Sequence, residues 1–441
     1  MPEARVLEVE APAARVPVTR VETAPATIAV VGLGYVGLPT ALALHAAGAP
    51  VIGIDVSERR LLAIRSRDVD LPRTDVLRLE GALGDGRLRL SSIPAAVAAA
   101  DAVIVCVPTP VDEQRRPHPA ALRAACANVV AHARAGQTIV LTSTTYVGST
   151  RELLVEPLAE RGLRAGEDVF VAFAPERILP GDPTVQQRAV PRVVGGATAR
   201  CTARTRELLA PTADRIHTVS SLEAAELTKL YENTFRAVNL AFANEMAGVS
   251  AHLGIDPVEV VDAAATKPYG FLAHYPGPGV GGHCIPVDPY YLLEPLRGDG
   301  VAAPIAEQAM AAIEARPGAV AERALSLLRG RGIAWDEATA LVVGMAYKPG
   351  VADARESPGL AIAEQLHGAG VDVAYHDPRV AEVRLAGERV LRSVPQPTPA
   401  PFDLVVVTAL HDGAERAWLD DCEHVLDATY RVRLGRNRHL V

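Results

Sequence analysis

Of the residues in this 441-residue chain, Cys284 has the sequence surroundings that best suit covalent chemistry. It belongs to the segment GPGVGGHCIPVDP at residues 277–289, whose glycines let a backbone and a bulky ligand approach closely. A cysteine thiolate is a nucleophile that forms covalent intermediates with carbonyl carbons. Asp288 follows four residues later and can order a water molecule or accept a proton. These residue types predict a nucleophile with an acid–base partner.

Lys229 and Asn233 form a second candidate group. They are four residues apart in a long helical pattern from Ser221 to His252, so they share one helix face. Of the 44 Lys and Arg residues only three are Lys, at 229, 267 and 348. Lysine is a compact ammonium whose pKa can be lowered, which arginine does not offer. We expect this pair to stabilise a developing oxyanion, although Lys and Asn on a helix more commonly form a solvated surface.

A glycine turn provides a candidate cofactor site. Gly32, Gly34 and Gly37 follow an apolar strand and precede an Ala- and Leu-rich helix, and Asp55 ends the next strand. In this context the GxGxxG spacing brings backbone N–H groups close to a pyrophosphate at a helix N-terminus. The carboxylate of Asp55 can accept hydrogen bonds from a ribose and repels a 2′-phosphate, which favours NAD over NADP.

Further cofactor contacts are expected around this turn. Tyr35 and Val36 lie within it, and Thr109 and Thr144 each follow an apolar strand. Ligands of open α/β sheets bind at the carboxyl ends of the strands. The two threonines are therefore candidates for cofactor or water contacts, with turn formation as the alternative.

The elements that must position these residues alternate between short apolar strands and helices. This rhythm predicts an α/β fold with two Rossmann-like doubly wound domains joined by a long-helix middle domain. The Gly- and Pro-rich stretch Pro268–Pro289 predicts a shaped loop without regular structure. The expected divisions are a mobile tail (1–24), an NAD-binding domain (25–215), a helical middle domain with the cysteine loop (216–330) and a C-terminal nucleotide-sugar-binding domain (331–441).

Composition excludes several classes of partner. The net charge of −8 argues against a basic face for nucleic acid, and we expect no membrane partner because the N-terminal residues lack a continuous apolar run. Five scattered cysteines without a CxxC pair predict no metal site and no disulfide framework. A reducing, cytoplasmic location is the corresponding expectation.

Four motifs in order resemble one family, the UDP-glucose and GDP-mannose dehydrogenases. They are GLGYVGLP at 32–39, the helix with Lys229 and Asn233, GGHCIPVDP at 281–289, and AYKPGVADARESP at 346–358. The resemblance implies a nucleotide-diphosphate sugar as substrate and a homodimer formed through the long middle helix.

The resemblance also implies a mechanism. One NAD takes a hydride from C6 of the sugar, Cys284 captures the aldehyde, a second NAD oxidises the thiohemiacetal, and water releases the thioester. The residues with an implied role in water and proton handling are Asp288, Thr144 and Glu176. The residues with an implied role in binding the substrate are Glu176, Lys229, Asn233, Gly281, Lys348 and Arg355.

The sugar is left open by several departures from the pattern. Val287 stands where UDP-glucose-specific members commonly have Lys, and Pro180 stands where they have a second Glu. The segments 173–181 and 266–278 resemble the branch that acts on UDP-N-acetylglucosamine or UDP-N-acetylmannosamine. An Ala- and Arg-rich composition, by contrast, resembles antibiotic producers, where UDP- or TDP-glucose is the expected substrate.

Two other hypotheses about the function are consistent with the sequence. A two-electron hydroxyacid dehydrogenase would share the glycine turn and the helices but would not need Cys284. A non-catalytic sensor of NAD or of a nucleotide sugar would keep the glycines and Asp55 without the nucleophile. Arg59 and Arg60, close to Asp55, also leave NADP as an alternative cofactor.

Overall fold

The computed structural model describes residues 26–177, 187–398, 402–413, 417–432 and 438–441. The expected mobile tail at 1–24 lies outside the described residues, and so does Pro180.

The N-terminal domain is built on one large sheet. Its strands are β1 (Ile28–Val31), β2 (Val51–Ile54), β3 (Leu88–Ser91), β4 (Ala102–Val105), β5 (Thr138–Leu141), β6 (Phe170–Phe173), β7 (Arg192–Gly196) and β8 (Ile216–Thr218). In the described part of the chain the order is β3-β2-β1-β4-β5-β6-β7-β8, and all neighbours are parallel except β6 and β7. Strands β2, β4, β5 and β6 are buried at every position, which explains their uninterrupted apolar sequences.

Helices cover both faces of this sheet. They are α1 (Gly37–Ala46), α2 (Glu58–Ser66), α3 (Arg73–Gly84), α4 (Ala120–His132), α5 (Glu156–Glu160) and α6 (Ala199–Leu209). A π-helical turn, Arg151–Val155, leads directly into α5. The two buried clusters on opposite sheet faces make this a doubly wound domain.

The middle domain is helical. It contains α7 (Leu222–Leu253), α8 (Pro257–Ala265), α9 (Asp288–Gly298) and α10 (Pro304–Gly330). Helix α7 begins at a Ser221 N-cap, whose hydroxyl accepts a hydrogen bond from the Ala224 N–H, and ends at Gly254 in the left-handed conformation. The stretch predicted to be irregular as far as Pro289 ends at Val287 instead, because α9 begins at Asp288 and a proline is tolerated in a first helical turn.

The C-terminal domain has a second, smaller parallel sheet. Its strands are β9 (Thr339–Val343), β10 (Asp372–His376), β13 (Leu404–Val407), β14 (Val425–Asp427) and β15 (Arg438–Leu440), and a separate hairpin is formed by β11 (Glu382–Arg384) and β12 (Val390–Arg392). The sheet order is β10-β9-β13-β14-β15, and α11 (Pro358–Gly368) follows the loop after β9. The predicted fold class is therefore confirmed.

Each sheet has one point where the strand order reverses. In the first sheet it lies between β1 and β4, and in the second it lies between β9 and β13. Crevices outside the carboxyl ends of such strands are the binding sites of open α/β sheets. Within the described residues, no helix has the length and apolar character needed to cross a membrane.

Candidate active site

The glycine turn after β1 is shaped by two close approaches and one opening. Gly32 has a φ of +87°, and a Cβ there would lie 2.7 Å from the carbonyl oxygen of Cys106. A Cβ at Gly37 would lie 1.7 Å from the carbonyl oxygen of Gly32, whereas a Cβ at Gly34 would meet nothing within 4 Å. The first and third glycines thus allow the turn itself, and the second leaves the backbone open on the side where a pyrophosphate would pass.

Asp55 is tied to the same turn. One carboxylate oxygen accepts a hydrogen bond from the Leu33 N–H at 2.8 Å, and the other accepts one from the Ser57 N–H at 2.9 Å. The Arg60 side chain donates to the Leu33 carbonyl at 2.8 Å, so it supports the turn from the other side. A fixed carboxylate beside an open glycine backbone fits the adenosine half of a dinucleotide.

Tyr35 connects this turn to the rest of the molecule. Its ring lies 5.1 Å from the guanidinium carbon of Arg355 and meets the ring of His283 edge-on at 6.3 Å. Val36 is the N-cap residue of α1. The cofactor turn is therefore in contact with the cysteine loop and with a loop of the C-terminal domain.

Asp288 is the buried centre of a group of partly buried polar residues. The Asn233 amide donates a hydrogen bond to its carboxylate, and the Thr144 hydroxyl is hydrogen-bonded to it as well. Burial raises the pKa of Asp288 to about 6, against the opposing effects of the Lys229 charge and the hydrogen bonds from Asn233 and Thr144. A carboxylate with a pKa near 6 is ionised at pH 7 and suits a general base.

Cys284 precedes Asp288 by four residues. Its carbonyl accepts a hydrogen bond from the Asp288 N–H at 2.7 Å, and its side chain is accessible to solvent although protein surrounds it on most sides. Burial and the Asp288 charge raise the pKa of the thiol, while the charges of Lys229, Lys348 and Arg236 oppose that rise. Three cations near one sulfur can support a thiolate and an oxyanion formed beside it.

The cysteine loop is packed against the C-terminal domain. The Gly282 N–H donates to the Arg355 carbonyl at 3.2 Å. A Cβ at Gly281 would lie 2.5 Å from the Glu356 carbonyl oxygen and 2.7 Å from the Tyr347 Cβ. Gly281 is thus required by close packing between two loops, which is a different reason from the substrate contact implied by the resemblance.

Lys348 and Arg355 lie on the loop after β9. The Lys348 ammonium is 5.8 Å from the centre of the Tyr347 ring, and Arg355 forms an ion pair with the buried carboxylate of Asp353 at 2.6 Å. Burial would raise the pKa of Asp353, but the hydrogen bonds and charge of Arg355 bring it below its ordinary value. Arg355 is therefore held in place by protein groups on two sides, Asp353 and the Tyr35 ring.

A buried Asp377–His411 pair supports the start of this loop. Asp377 accepts hydrogen bonds from the N–H groups of Met345 and Ala346 at 2.7 and 2.8 Å, and His411 Nε2 lies 3.1 Å from its carboxylate. His411 Nδ1 accepts from the Gly350 N–H at 3.1 Å. Burial opposes ionisation, but the hydrogen bonds from His411, Ala346 and Arg379, together with the His411 charge, lower the pKa of Asp377 to about 2.

Two further predicted site residues, Thr109 and Glu176, have partners of their own. Thr109 is half-buried after β4, and its hydroxyl is hydrogen-bonded to the hydroxyl of Tyr291. Glu176 is buried in an ion pair with Arg192, and it also accepts a hydrogen bond from the Arg177 N–H at 2.9 Å. Their implied roles in cofactor binding, water handling and substrate binding stay predictions.

The structure therefore brings Cys284, Asp288, Lys229, Asn233 and Thr144 together, with Lys348 close enough to act on the thiol. Sequence reasoning missed Arg236, which acts on Cys284 from α7. It follows Asn233 by three residues and Lys229 by seven, so helical spacing could have placed it on the same face.

Comparisons with known proteins place the chain in a family. The profiles of the UDP-glucose/GDP-mannose dehydrogenase family match at residues 26–213 for the NAD binding domain, 223–314 for the central domain and 341–436 for the UDP binding domain. The chain belongs to the UDP-glucose/GDP-mannose dehydrogenase family. Within it, the chain is an enzyme of the NAD-dependent nucleotide-sugar dehydrogenase class.

Similar proteins cover most of the chain. The UDP-N-acetyl-D-mannosamine dehydrogenase of Escherichia coli (strain K12) is 36% identical over 354 residues, which are 77% of this chain and 82% of that protein. The NDP-N-acetyl-D-galactosaminuronic acid dehydrogenase of Ralstonia solanacearum is 32% identical over 87% of this chain and 90% of its own length. The solved structure of UDP-D-ManNAc dehydrogenase from Pyrococcus horikoshii has a TM-score of 0.85 at 29% identity, covering 94% of this chain and 98% of its own.

Proposed function

We propose that this enzyme oxidises C6 of a UDP-N-acetylhexosamine to the carboxylate in a four-electron reaction with Cys284 as the nucleophile. The observation that carries the proposal is the convergence of Cys284 with Asp288, Lys229 and Asn233 at one point. The acetamido sugar is favoured over UDP- or TDP-glucose because the similar proteins named above act, by name, on N-acetylated hexoses.

The residues suit each step of that chemistry. When bound at the glycine turn, NAD supplies the hydride acceptor for both oxidations. In the first oxidation C6 gives up a hydride while its hydroxyl gives a proton to Asp288, which passes it on to solvent, and an aldehyde results. The Cys284 thiolate adds to the C6 aldehyde, the C=O electron pair moves to oxygen, and the oxyanion is stabilised by Lys229. After loss of the second hydride, the C6 carbon is a thioester. Asp288 then takes a proton from water as the water oxygen adds to C6, and the C–S bond breaks to release the thiolate.

The substrate nucleotide is proposed to bind at the switch point of the C-terminal sheet. Lys348 and Arg355 lie on the loop after β9. Asp353 binds Nε and Nη2 of Arg355, so the terminal edge of the guanidinium, next to the compact charge of Lys348, is the part that suits a pyrophosphate. We further propose a cytoplasmic location, because Cys284 has to remain a thiol for this chemistry and the structure has all five cysteines free.

The function is tested by counting NADH. With limiting UDP-N-acetylmannosamine we expect two NADH per sugar, and with UDP-glucose and TDP-glucose a kcat/KM lower by at least about 10-fold. Cys284→Ala should abolish the uronic acid product, while Cys422→Ala, which removes a buried thiol in the C-terminal domain, serves as the matched control. One NADH per sugar, unaffected by Cys284→Ala, would instead support a two-electron dehydrogenase.

We also propose that the enzyme is a homodimer paired through α7. Exposed apolar side chains follow one another along this helix at spacings of three, four and seven residues. They are Leu227, Tyr231, Phe235, Phe242, Met246, Val249 and Leu253. A second copy related by a two-fold axis would cover this stripe with the same stripe, whereas a solvated helix face of this size is unfavourable.

The dimer is tested by a charge on the stripe. Phe242→Glu should shift the sedimentation coefficient from dimer to monomer, because a charge buried in a two-fold interface meets its own copy. Ile305→Glu is the matched control, since Ile305 is 74% exposed on α10 and lies off the stripe. A wild-type protein that is monomeric at about 10 μM would contradict the proposal, because a stable dimer has a Kd below that concentration.

A further inference from the structure

Glu226 is a fully buried carboxylate on α7 with four hydrogen-bond donors around it. One of its oxygens accepts hydrogen bonds from the Thr150 N–H at 2.8 Å, the Thr150 hydroxyl at 2.6 Å and the Ser149 hydroxyl at 3.0 Å. The other accepts one from the Gly148 N–H at 2.6 Å. The side chain is 0% exposed, so this carboxylate is satisfied entirely by neutral protein donors on one short segment.

The segment that Glu226 holds is the end of the Thr144 loop. Strand β5 ends at Leu141, the loop with Thr144 follows, and helical structure begins at Ser149, two residues before the π-helical turn. The first N–H groups of a helix have no partner within it, and a carboxylate there also interacts favourably with the helix dipole. A residue of the middle domain thus caps a helix of the NAD-binding domain and fixes where the Thr144 loop ends.

Glu226 shares its helix face with the residues of the Asp288 group. It precedes Lys229 by three positions and Asn233 by seven, so successive turns of α7 present the three side chains in the same direction. Asn233 contacts Asp288 directly, and Thr144 contacts Asp288 from the loop that Glu226 caps. One face of one helix therefore sets both sides of the Asp288 site.

We propose that Glu226 is a positioning residue that holds the Thr144 hydroxyl against the Asp288 carboxylate. This inference rests on the proposed function for the role of Asp288, but the positioning itself is a property of the protein without ligands. A carboxylate is required because all four partners are donors. An amide would keep the three bonds at Ser149 and Thr150 but would turn its own NH₂ towards the Gly148 N–H.

The kinetic test uses Glu226→Gln with a matched control. Gln137→Met removes an equally buried polar group, whose amide bonds to Val97, Ala100 and Arg134 before the opposite end of the same strand, β5. We expect Glu226→Gln to lower kcat about 10-fold with both KM values within about twofold, because a misplaced Thr144 affects the reacting geometry rather than binding. Gln137→Met should lower stability without this change in kcat.

A double-mutant cycle identifies the residue through which Glu226 acts. In a Thr144→Ala background, Glu226→Gln should have almost no further effect on kcat, because the hydroxyl that it positions is already gone. Additive losses, or an equal loss of kcat in Gln137→Met, would overturn the proposal.

Hydrogen exchange separates this proposal from the proposed function. In the unliganded protein, Glu226→Gln should speed exchange of the amides in residues 142–150 by at least about 10-fold, and Gln137→Met should leave them at the wild-type rate. If the wild type oxidises no nucleotide sugar, the proposed function fails while the exchange result still supports or overturns the positioning. Unchanged exchange at 142–150 in Glu226→Gln overturns it.

Discussion

At the scale of single residues, the charges around Cys284 set its reactivity. Burial and Asp288 raise the pKa of the thiol above its ordinary value of 9.0, whereas Lys229, Lys348 and Arg236 act in the opposite direction. A raised pKa means a smaller thiolate fraction at neutral pH, so reactivity increases as the pH rises towards that pKa. Removing a neighbouring charge should move this dependence in a direction fixed by the sign of the charge.

The rate of alkylation by iodoacetamide measures this effect. We expect the midpoint of the pH profile for Cys284 to move to lower pH in Asp288→Asn, because a negative charge is lost, and to higher pH in Lys229→Met. Modification is located by mass spectrometry, and the four buried cysteines should react far more slowly in every variant. Asp403→Asn, at the amino end of β13, should leave the midpoint unchanged. Equal midpoints in all four proteins would contradict the assigned electrostatics.

Much of this residue-scale arrangement could be predicted from the sequence. Helical spacing put Lys229 and Asn233 on one face, and the short distance in sequence linked Cys284 to Asp288. The partners of Glu226 could not be found in this way, because Gly148 and Thr150 precede it by 78 and 76 residues. Spacing places a residue on a face, but only the packed domains show what that face meets.

At the scale of elements, the glycine turn gives a prediction that separates folding from binding. Ala at position 34 has open space around its Cβ, whereas Ala at position 37 would place a carbon 1.7 Å from a carbonyl oxygen. The Gly34→Ala variant should therefore fold with a Tm within about 2 °C of wild type. Its affinity for NAD should fall at least about 10-fold, because the added Cβ fills the expected path of the pyrophosphate. The Gly37→Ala substitution should instead lower the free energy of unfolding by at least about 1–3 kcal/mol.

Calorimetric titration with NAD and thermal unfolding distinguish the two outcomes. Gly84→Ala is the control, because Gly84 also has nothing within 4 Å of a Cβ but lies at the end of α3. It should keep both the wild-type Tm and the wild-type affinity. Wild-type NAD affinity in Gly34→Ala would show that the cofactor does not cross this part of the turn.

The elements themselves were predictable to different degrees. Strands that are buried on both faces, such as β4 and β5, consist mainly of consecutive apolar residues, and such runs between turn signals predict strands. The three-residue strands β14 and β15 have too little sequence for a period to be read. Strand β7 runs antiparallel to β6, and the sequence of β7 does not show this direction because it is set by pairing between separate segments of the chain.

At the scale of the whole molecule, Arg115 joins all three domains. It lies in the NAD-binding domain after β4, and its guanidinium contacts Glu314 of α10 at 2.8 Å and Glu356 of the C-terminal domain at 2.9 Å. Glu356 adjoins Arg355, whose carbonyl accepts the Gly282 N–H of the cysteine loop. These ion pairs are partly exposed, so each contributes only about 0–1 kcal/mol to stability. We therefore expect these ion pairs to hold the three domains in their relative positions without adding much to the stability of any one domain.

Arg115→Leu should therefore change substrate binding more than stability. We expect the KM for the nucleotide sugar to rise about 2–5-fold at low salt with a Tm change of at most a few degrees, because the loop with Arg355 loses a contact that orients it. Salt screens exposed charges, so about 1 M NaCl should raise the KM of both proteins by weakening pyrophosphate binding, and the ratio of the variant KM to the wild-type KM should fall towards one. Arg87→Leu removes a somewhat more exposed arginine, 45% against 33% for Arg115, which is paired with Asp85 inside the NAD-binding domain, and should keep the wild-type KM. If Arg87→Leu and Arg115→Leu changed the KM alike, general loss of surface charge, and not the joining of three domains, would be the cause.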